Sequence, residues 1–309
     1  MSKGMRNLLI VACVFILVGS ILGGAGYSLG GFNSVSFTTR GPVVIRPGYS
    51  QYIQVDSAWE TLTDVDIDVD VLDLNLVEGP SGGGFQLIGT YNASYSTYYM
   101  DDSNGKLTVK ISSDEMSGFI GFGFMEPDPT HLTLIYPAGT HFNTVKLNND
   151  VGSLTVNNLN VSALAINLAV GSFSGSAITA DTLTADLAMG SFTANNLVVK
   201  SFAELQLAMG ALDISSSQIK NLEAECAMGS MTYTGTLSGK AVLAVDMGSI
   251  DMNLDTDEKN ISFDISTNMG STNINGKGYT GNVRLSASSP SLELDVSANL
   301  GSVDIKTRM

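Results

Sequence analysis

The chain has 309 residues, of which 44% are hydrophobic and only 15% are charged, with 33 glycines and 7 prolines. This composition is too apolar for a disordered chain, and its length allows one large domain or two small ones. The 30 acidic and 15 basic residues give a net charge of -15. Such a charge argues against nucleic acid as a partner, because phosphate binding needs a basic face. Two cysteines and two histidines are too few for a disulfide framework or a zinc site.

Residues 8–31 are predicted to form a transmembrane anchor. They contain no charged residue, and their length exceeds the roughly 20 residues that span a bilayer. Lys3 and Arg6 precede them, so the positive-inside rule predicts that residues 1–7 are cytoplasmic and that the rest is exported. A cleaved signal peptide is the alternative, but no clear A-x-A site follows the segment, and we favour the anchor.

The exported part divides by its pattern into three segments. Residues 32–55 are predicted to be a linker, residues 56–145 an irregular part rich in β-strands, and residues 146–309 a repeat. No segment shows helical spacing of its apolar residues, so the exported part is predicted to be all-β.

A repeated tripeptide organises the C-terminal half: an aliphatic residue or Met, then Gly, then Ser or Ala. The glycines are separated by 19, 19, 20, 19, 19, 22 and 31 residues. The structural repeat glycines are Gly152, Gly171, Gly190, Gly210, Gly229, Gly248, Gly270 and Gly301.

In most units, apolar residues stand five, three and one positions before the glycine, and two and four positions after it. This is the period of a strand with one buried face, interrupted by a one-residue shift at the glycine, where a residue without Cβ can form a corner. Asn157, Asn158, Asn195 and Asn196 are predicted to be further corner residues. The pattern predicts a single-stranded β-solenoid of about eight rungs of 19–22 residues, in which each turn pairs with the next in parallel.

Two kinds of residue in the repeat suggest chemistry. Cys226 occupies a column that otherwise holds Leu and Val, so we expect a buried small hydrophobe and not a nucleophile. Met189, Met209, Met228, Met247 and Met269 precede their glycines and resemble a copper-binding stripe. Because Val151, Val170 and Leu300 fill the same column, packing is the favoured interpretation.

Before the repeats, Asp64, Asp66, Asp68 and Asp70 alternate with apolar residues, and the alternation breaks near Val71. This acidic row could hold Ca²⁺, but a solvated strand face that discourages edge pairing is the favoured interpretation.

Further along the chain, Asn104-Gly105 predicts a hairpin with a type I′ turn. Tyr91, Tyr95, Tyr98 and Tyr99 could form a sugar-stacking surface, although cross-strand packing explains them as well. His131 and His141 are expected at strand ends.

Catalytic patterns are weak. Gly26-Tyr-Ser28-Leu-Gly30 matches a nucleophile elbow, but it lies in or beside the membrane segment and no helical pattern follows it. The glycine-rich stretches 82–84 and 118–123 lack the Lys-Ser/Thr of a phosphate-binding loop. We therefore predict no catalytic residue, no cofactor and no metal, and hence no enzyme.

The acidic strand 65–76, the run Leu132-Thr-Leu-Ile-Tyr-Pro-Ala-Gly139 and the glycine repeat together resemble the bacterial putative adhesin domain family of the DUF4097 type. The resemblance covers roughly residues 56–305. It implies a β-solenoid of the bacterial envelope without established catalysis, and it assigns no binding residues.

The leading hypothesis from sequence is a membrane-anchored, extracytoplasmic β-solenoid that acts as a structural or interaction module. Its partner would be an envelope protein or a glycan, or a second copy through the end of the solenoid, since no polar cap follows the last rung, 303–305. A carbohydrate-binding or carbohydrate-active solenoid, and an envelope sensor or regulatory subunit with a membrane partner, remain alternatives.

Overall fold

The structure is a computed structural model, and it describes residues 34–38, 41–45, 50–56, 61–93, 96–113 and 130–308. The predicted anchor, residues 8–31, lies outside these residues. Among the described residues, no helix is both long and apolar enough to cross a membrane.

The chain divides into two compact units. The smaller unit holds an antiparallel hairpin of β1 (Ser34–Thr38) and β2 (Gly41–Ile45). These strands, and the start of β3 (Ser50–Asp56), lie in the stretch predicted to be a linker.

The larger unit consists of residues 52–91, 97–112 and 130–309. Its strands before the repeat are β4 (Asp64–Val71), β5 (Asp73–Glu78), β6 (Gln86–Asn92), β7 (Ser96–Asp101), β8 (Lys106–Ser113) and β9 (His131–Tyr136). The repeat contains β10 (Phe142–Asn157), β11 (Asn160–Asp257), β12 (Ile261–Ile274), β13 (Lys277–Tyr279), β14 (Val283–Leu285) and β15 (Leu292–Arg308). Two short 3-10 turns, Ser103–Gly105 and Glu258–Asn260, complete the described elements, so the predicted all-β class is confirmed.

The repeat folds as an in-register parallel ladder. β10 pairs with the first turn of β11 so that Gly152 lies beside Gly171, and the neighbouring positions match one for one. The later glycines of β11 stack in the same way, because each one faces the carbonyl group of the glycine one turn earlier. The predicted registration of the turns on their glycines is therefore confirmed, and the fold is β-solenoid-like.

The last rungs are not stacked in chain order. β15 pairs in parallel with the end of β11, with Gly248 beside Gly301. β12 then pairs with the other side of β15, with Gly270 beside Gly301. The rung that contains residues 303–305 is thus internal, and the expectation that it leaves an open edge is wrong.

The outer edge of β12 is covered by the insertion between Gly270 and Gly301. β14 pairs antiparallel with Phe263–Ile265, and β13 pairs antiparallel with Thr272–Ile274. Arg284 donates two hydrogen bonds to one carboxylate oxygen of Asp264, at 3.1 and 2.7 Å, and so fixes β14 to this edge. Self-association through this end would require the cap to move.

The irregular segment before the repeats continues the same stack. β4 pairs with the first half of β10, and β5 pairs with its second half. β8 and β9 pair with β4 and β5 in turn, which adds another layer. Leu72, at the break between β4 and β5, occupies the place of a repeat glycine, and the break predicted near Val71 is confirmed.

The interior consists of columns of equivalent side chains. Leu205 and Leu207 before Gly210, and Leu212 and Ile214 after it, are all at most 3% exposed. Corners between strands use left-handed backbone, as at Asn158, Asn196 and Asn221, which confirms the prediction for Asn158 and Asn196. The hairpin of β7 and β8 is also as predicted, with positive φ at both Asn104 and Gly105.

Candidate functional site

Each rung turns a corner at its glycine, and the corner begins one residue earlier than the sequence pattern predicts. Leu207 is buried, but Ala208 and Met209 both face solvent before Gly210, and Leu212 returns to the core. The outward stretch therefore includes the residue directly before the glycine. This residue is the one for which simple alternation predicts a buried position.

The side chains directly before the repeat glycines, together with Val71 before Leu72, form one exposed apolar column, which we call the apolar ridge. They are between 39% and 68% exposed. In the order of the stack, the ridge consists of Val71, Val151, Val170, Met189, Met209, Met228, Met247, Leu300 and Met269. The favoured interpretation of the methionines as core residues is thus wrong.

The ridge accounts for most of the large hydrophobic side chains that the described part of the chain leaves exposed. Of 12 such side chains, only Val77, Tyr99 and Phe202 lie elsewhere. Exposed apolar residues that are scattered singly are ordinary on a protein surface, whereas a contiguous row marks an interaction surface. With about 4.8 Å between paired strands, the nine positions span roughly 38 Å.

A shallow groove lies beside the middle of the ridge. Its volume is about 340 Å³, and Ala208 and Ala227 are among the residues that line it. Asp186, Glu225 and Asp246 place carboxylates along the same groove.

Beside the middle of the ridge, the surface on both sides is acidic. In residues 184–254, which the structure describes throughout, the positions within six residues of a repeat glycine contain seven carboxylates and no lysine or arginine. The carboxylates belong to Asp186, Glu204, Asp213, Glu223, Glu225, Asp246 and Asp251. Lys200, Lys220 and Lys240 all lie 10 or 11 residues after a repeat glycine, and Lys200 pairs there with Asp181 at 3.1 Å.

The acidic row of β4 faces cations supplied by the next strand. Lys106 Nζ lies 3.1 Å from Asp66, and Lys110 Nζ lies 3.9 Å from Asp68. On the other side of β4, Lys146 stands in register with Asp66. These lysines offset the negative charge of the aspartate row. The row is therefore better explained as a solvated strand face than as a calcium site.

The tyrosines do not form a single open platform. Tyr91 and Tyr98 stack on each other, with ring centroids 5.6 Å apart and planes inclined by 24°. Burial, and secondarily Tyr91, raises the pKa of Tyr98, while Tyr99 is 55% exposed. Tyr95 lies outside the described residues. The stacked pair supports packing and not sugar binding.

Cys226 is buried in its column, with 1% exposure, which confirms the prediction of a small core hydrophobe. Burial raises the pKa of its thiol, and this disfavours the reactive thiolate. His131 opens β9, and His141 immediately precedes β10, as expected for residues at strand ends. Their ring nitrogens contact the hydroxyl groups of Thr90 and Ser162, at 3.2 and 3.1 Å.

The sequence interpretation missed the ridge, although the sequence contains one signal of it. The columns five and three residues before the glycine hold mainly Leu, Ile, Val and Ala, whereas the column directly before it holds five methionines, and alanine precedes four of its members. The column thus differs in residue type from the buried ones.

Comparison with known proteins gives a matching family and several solved structures that are similar at low identity. The pattern of the family described as Toastrack DUF4097 matches residues 63–306. No curated protein matches the chain.

Several solved structures are similar at low identity. A putative cell adhesion protein from Clostridium sporogenes is 12% identical with a TM-score of 0.28, and the match covers 84% of this chain and 100% of that one. A putative adhesin from Bacteroides fragilis is 13% identical with a TM-score of 0.30, over 84% of this chain and 97% of that one. A putative adhesin from Parabacteroides merdae is 12% identical with a TM-score of 0.33, over 84% and 96%.

Proposed function

Because the chain belongs to the DUF4097 (Toastrack) family, we propose that it is a non-catalytic interaction module of a bacterial cell envelope. In this proposal, residues 8–31 anchor the chain in the membrane, and the β-solenoid lies outside it. The observation that carries the proposal is the apolar ridge, a continuous exposed row on a hydrogen-bonded ladder. A surface of this kind is suited to holding a partner.

The side chains that suggest chemistry support a non-catalytic role. The Cys226 thiol is buried and its pKa is raised, so it is a poor nucleophile. Asp66 and Asp68 of the acidic row are engaged by Lys106 and Lys110. The carboxylates beside the ridge recur along the stack and therefore suit an extended contact better than a single reaction centre.

The proposed location rests on the N-terminal sequence. Lys3 and Arg6 precede an uncharged apolar run, and no acidic residue occurs before Asp56. The positive-inside rule places such an N-terminus in the cytoplasm.

Fractionation and protease accessibility test this proposal. The full chain is produced in a bacterial host with an epitope tag after its last residue, and spheroplasts are treated with protease before and after lysis. We expect the chain to sediment with the membranes and the tag to be lost before lysis, while a cytoplasmic marker survives. A tag that resists protease until lysis, or a chain that is released in soluble form, contradicts the anchored arrangement.

A further inference from the structure

We propose that the apolar ridge docks a basic amphipathic helix of a partner protein. The inference rests on the proposed function, since it names the chemistry of the partner that the interaction module holds. The ridge residues concerned are Met189, Met209, Met228 and Met247, which lie on four successive rungs and are 40–45% exposed.

The spacing of the ridge favours a helix that lies along the stack. Successive ridge side chains are separated by the strand spacing of about 4.8 Å. One turn of an α-helix rises about 5.4 Å, so apolar side chains one turn apart drift from the ridge positions by only about 0.6 Å per rung. Alternate side chains of an extended strand lie about 6.6 Å apart and drift by about 1.8 Å per rung, three times as fast.

The charge around the ridge selects a basic partner. Asp186, Glu225 and Asp246 lie along the groove on one side of the ridge, and Asp213 and Asp251 lie on the strand segments that follow the glycine. A helix with lysine or arginine beside its apolar stripe complements this surface. A second copy of the chain, docked ridge to ridge, would bring the same carboxylates together, and an anionic lipid surface would be repelled.

The residue types in the ridge suit an apolar contact better than a metal. Thioethers are ligands for soft cations such as Cu(I), but the same column holds Val151, Val170 and Leu300, which have no donor atom. Methionine is unbranched and flexible, and it adapts to partners of different shape. The common property of the column is its exposed apolar surface.

The test measures binding of a fluorescent synthetic peptide to the full chain in phosphatidylcholine nanodiscs. The peptide is a leucine and lysine helix of about five turns with one apolar face. A peptide of the same composition, scrambled so that no apolar face forms, is the peptide control. Empty nanodiscs give the background from lipid.

Two matched double variants test whether peptide binding depends on the apolar surface of the ridge. Met209→Gln/Met228→Gln removes apolar surface without changing the charge, and Met209→Leu/Met228→Leu preserves it in a column that already holds Leu300. We expect the glutamine variant to bind the helix about tenfold more weakly and the leucine variant to bind within about twofold of the native chain. The scrambled peptide should bind weakly to all three proteins.

Asp186→Asn/Glu225→Gln provides a third, independent variant. We expect it to weaken binding and to reduce the dependence of binding on salt concentration, because the lost carboxylates attract the lysines of the peptide.

Equal binding by the native and glutamine chains overturns the proposal, as does equal binding of the ordered and scrambled peptides. Loss of binding in both the leucine and the glutamine variants points to the thioethers, and Cu(I) binding by the native chain alone would assign the ridge to a soft metal. A ridge-dependent dimer without peptide binding would assign the ridge to a second copy. Each of these three results overturns the proposal. Failure here leaves the fractionation result unaffected, so the two proposals fail separately.

Discussion

At the eight repeat glycines, the backbone of the neighbouring rung leaves no room for a side chain. Gly210 has φ of +145°, and a Cβ at this position would fall on the carbonyl oxygen of Gly190. Any larger residue would be strained in its own backbone and would also push the two rungs apart. The regular spacing of glycine in the sequence therefore records the stacking of the chain on itself.

Three alanine substitutions separate these two effects. Gly210→Ala introduces both the strained φ and the collision with the preceding rung. Gly276→Ala introduces only the strain, because φ is +82° and no atom lies within 4 Å of the new Cβ. Gly278→Ala introduces neither and is the control.

Urea unfolding of the purified variants should rank them in that order. We expect Gly210→Ala to lower the free energy of unfolding by about 3 kcal/mol or more, Gly276→Ala by about 1 kcal/mol and Gly278→Ala by close to zero. A Gly210→Ala chain as stable as the Gly278→Ala chain would show that the rungs do not meet at this glycine.

At the scale of the strands, the order of the last three rungs departs from the order of the chain. β15 is inserted between the end of β11 and β12, and β13 and β14 cover β12. The final strand thereby lies between two partners, and the outermost strand carries its own cap. This arrangement protects an edge that would otherwise invite pairing with another chain.

Engineered disulfides test this order. In a background with Cys13→Ser and Cys226→Val, we expect Ser249→Cys/Ser302→Cys to cross-link under mild oxidation, because these residues are directly paired. In the same background, Ser271→Cys/Ser302→Cys should also cross-link.

Ser249→Cys/Ser271→Cys is the negative control. These two positions are both paired with Ser302, so one strand separates them by about 9.6 Å, which exceeds the reach of a disulfide. Efficient cross-linking of this pair, with none between residues 249 and 302, would show that the rungs are stacked in the order of the sequence.

The sequence predicts the ladder but not this order, for a physical reason. The rungs at Gly270 and Gly301 present the same kinds of residue, such as Ile265 and Val296 in one buried column, so either order fills the core. What decides the order is the pairing of β14 with β12, which connects three residues of an irregular insertion to a strand some 20 positions earlier. A pattern aligned on glycine contains no information about such a contact.

The exposure of the ridge methionines could not be predicted from the alternation, for a related reason. Period-two alternation continues correctly through Leu205 and Leu207, and it fails at Met209 because the backbone has already begun to turn. By contrast, Cys226 lies three residues before its glycine, where the alternation still holds, and its buried position was predictable. Sequence reasoning therefore predicts the core columns and fails at the corners, where the ridge lies.

At the scale of the whole larger unit, the charge and apolar surface are segregated around the stack. The ridge and its flanking carboxylates occupy the corner at the repeat glycines, and Lys200, Lys220 and Lys240 recur at a different point of the rung. The excess of acidic over basic residues in the composition is thus partly concentrated beside the ridge. A module built in this way presents the same contact chemistry repeatedly along one line.

The most direct test of the ridge is hydrogen peroxide footprinting of the methionines, both on the purified chain and on the chain in the membranes of the cell that makes it. In the purified chain, we expect Met209, Met228 and Met247 to form sulfoxide several-fold faster than Met231 and Met252, which are 1% and 3% exposed. In native membranes, a docked partner should slow the oxidation of the ridge methionines and leave that of the core pair unchanged. Equal rates for ridge and core in the purified chain, or ridge rates that are the same in both preparations, would contradict the account.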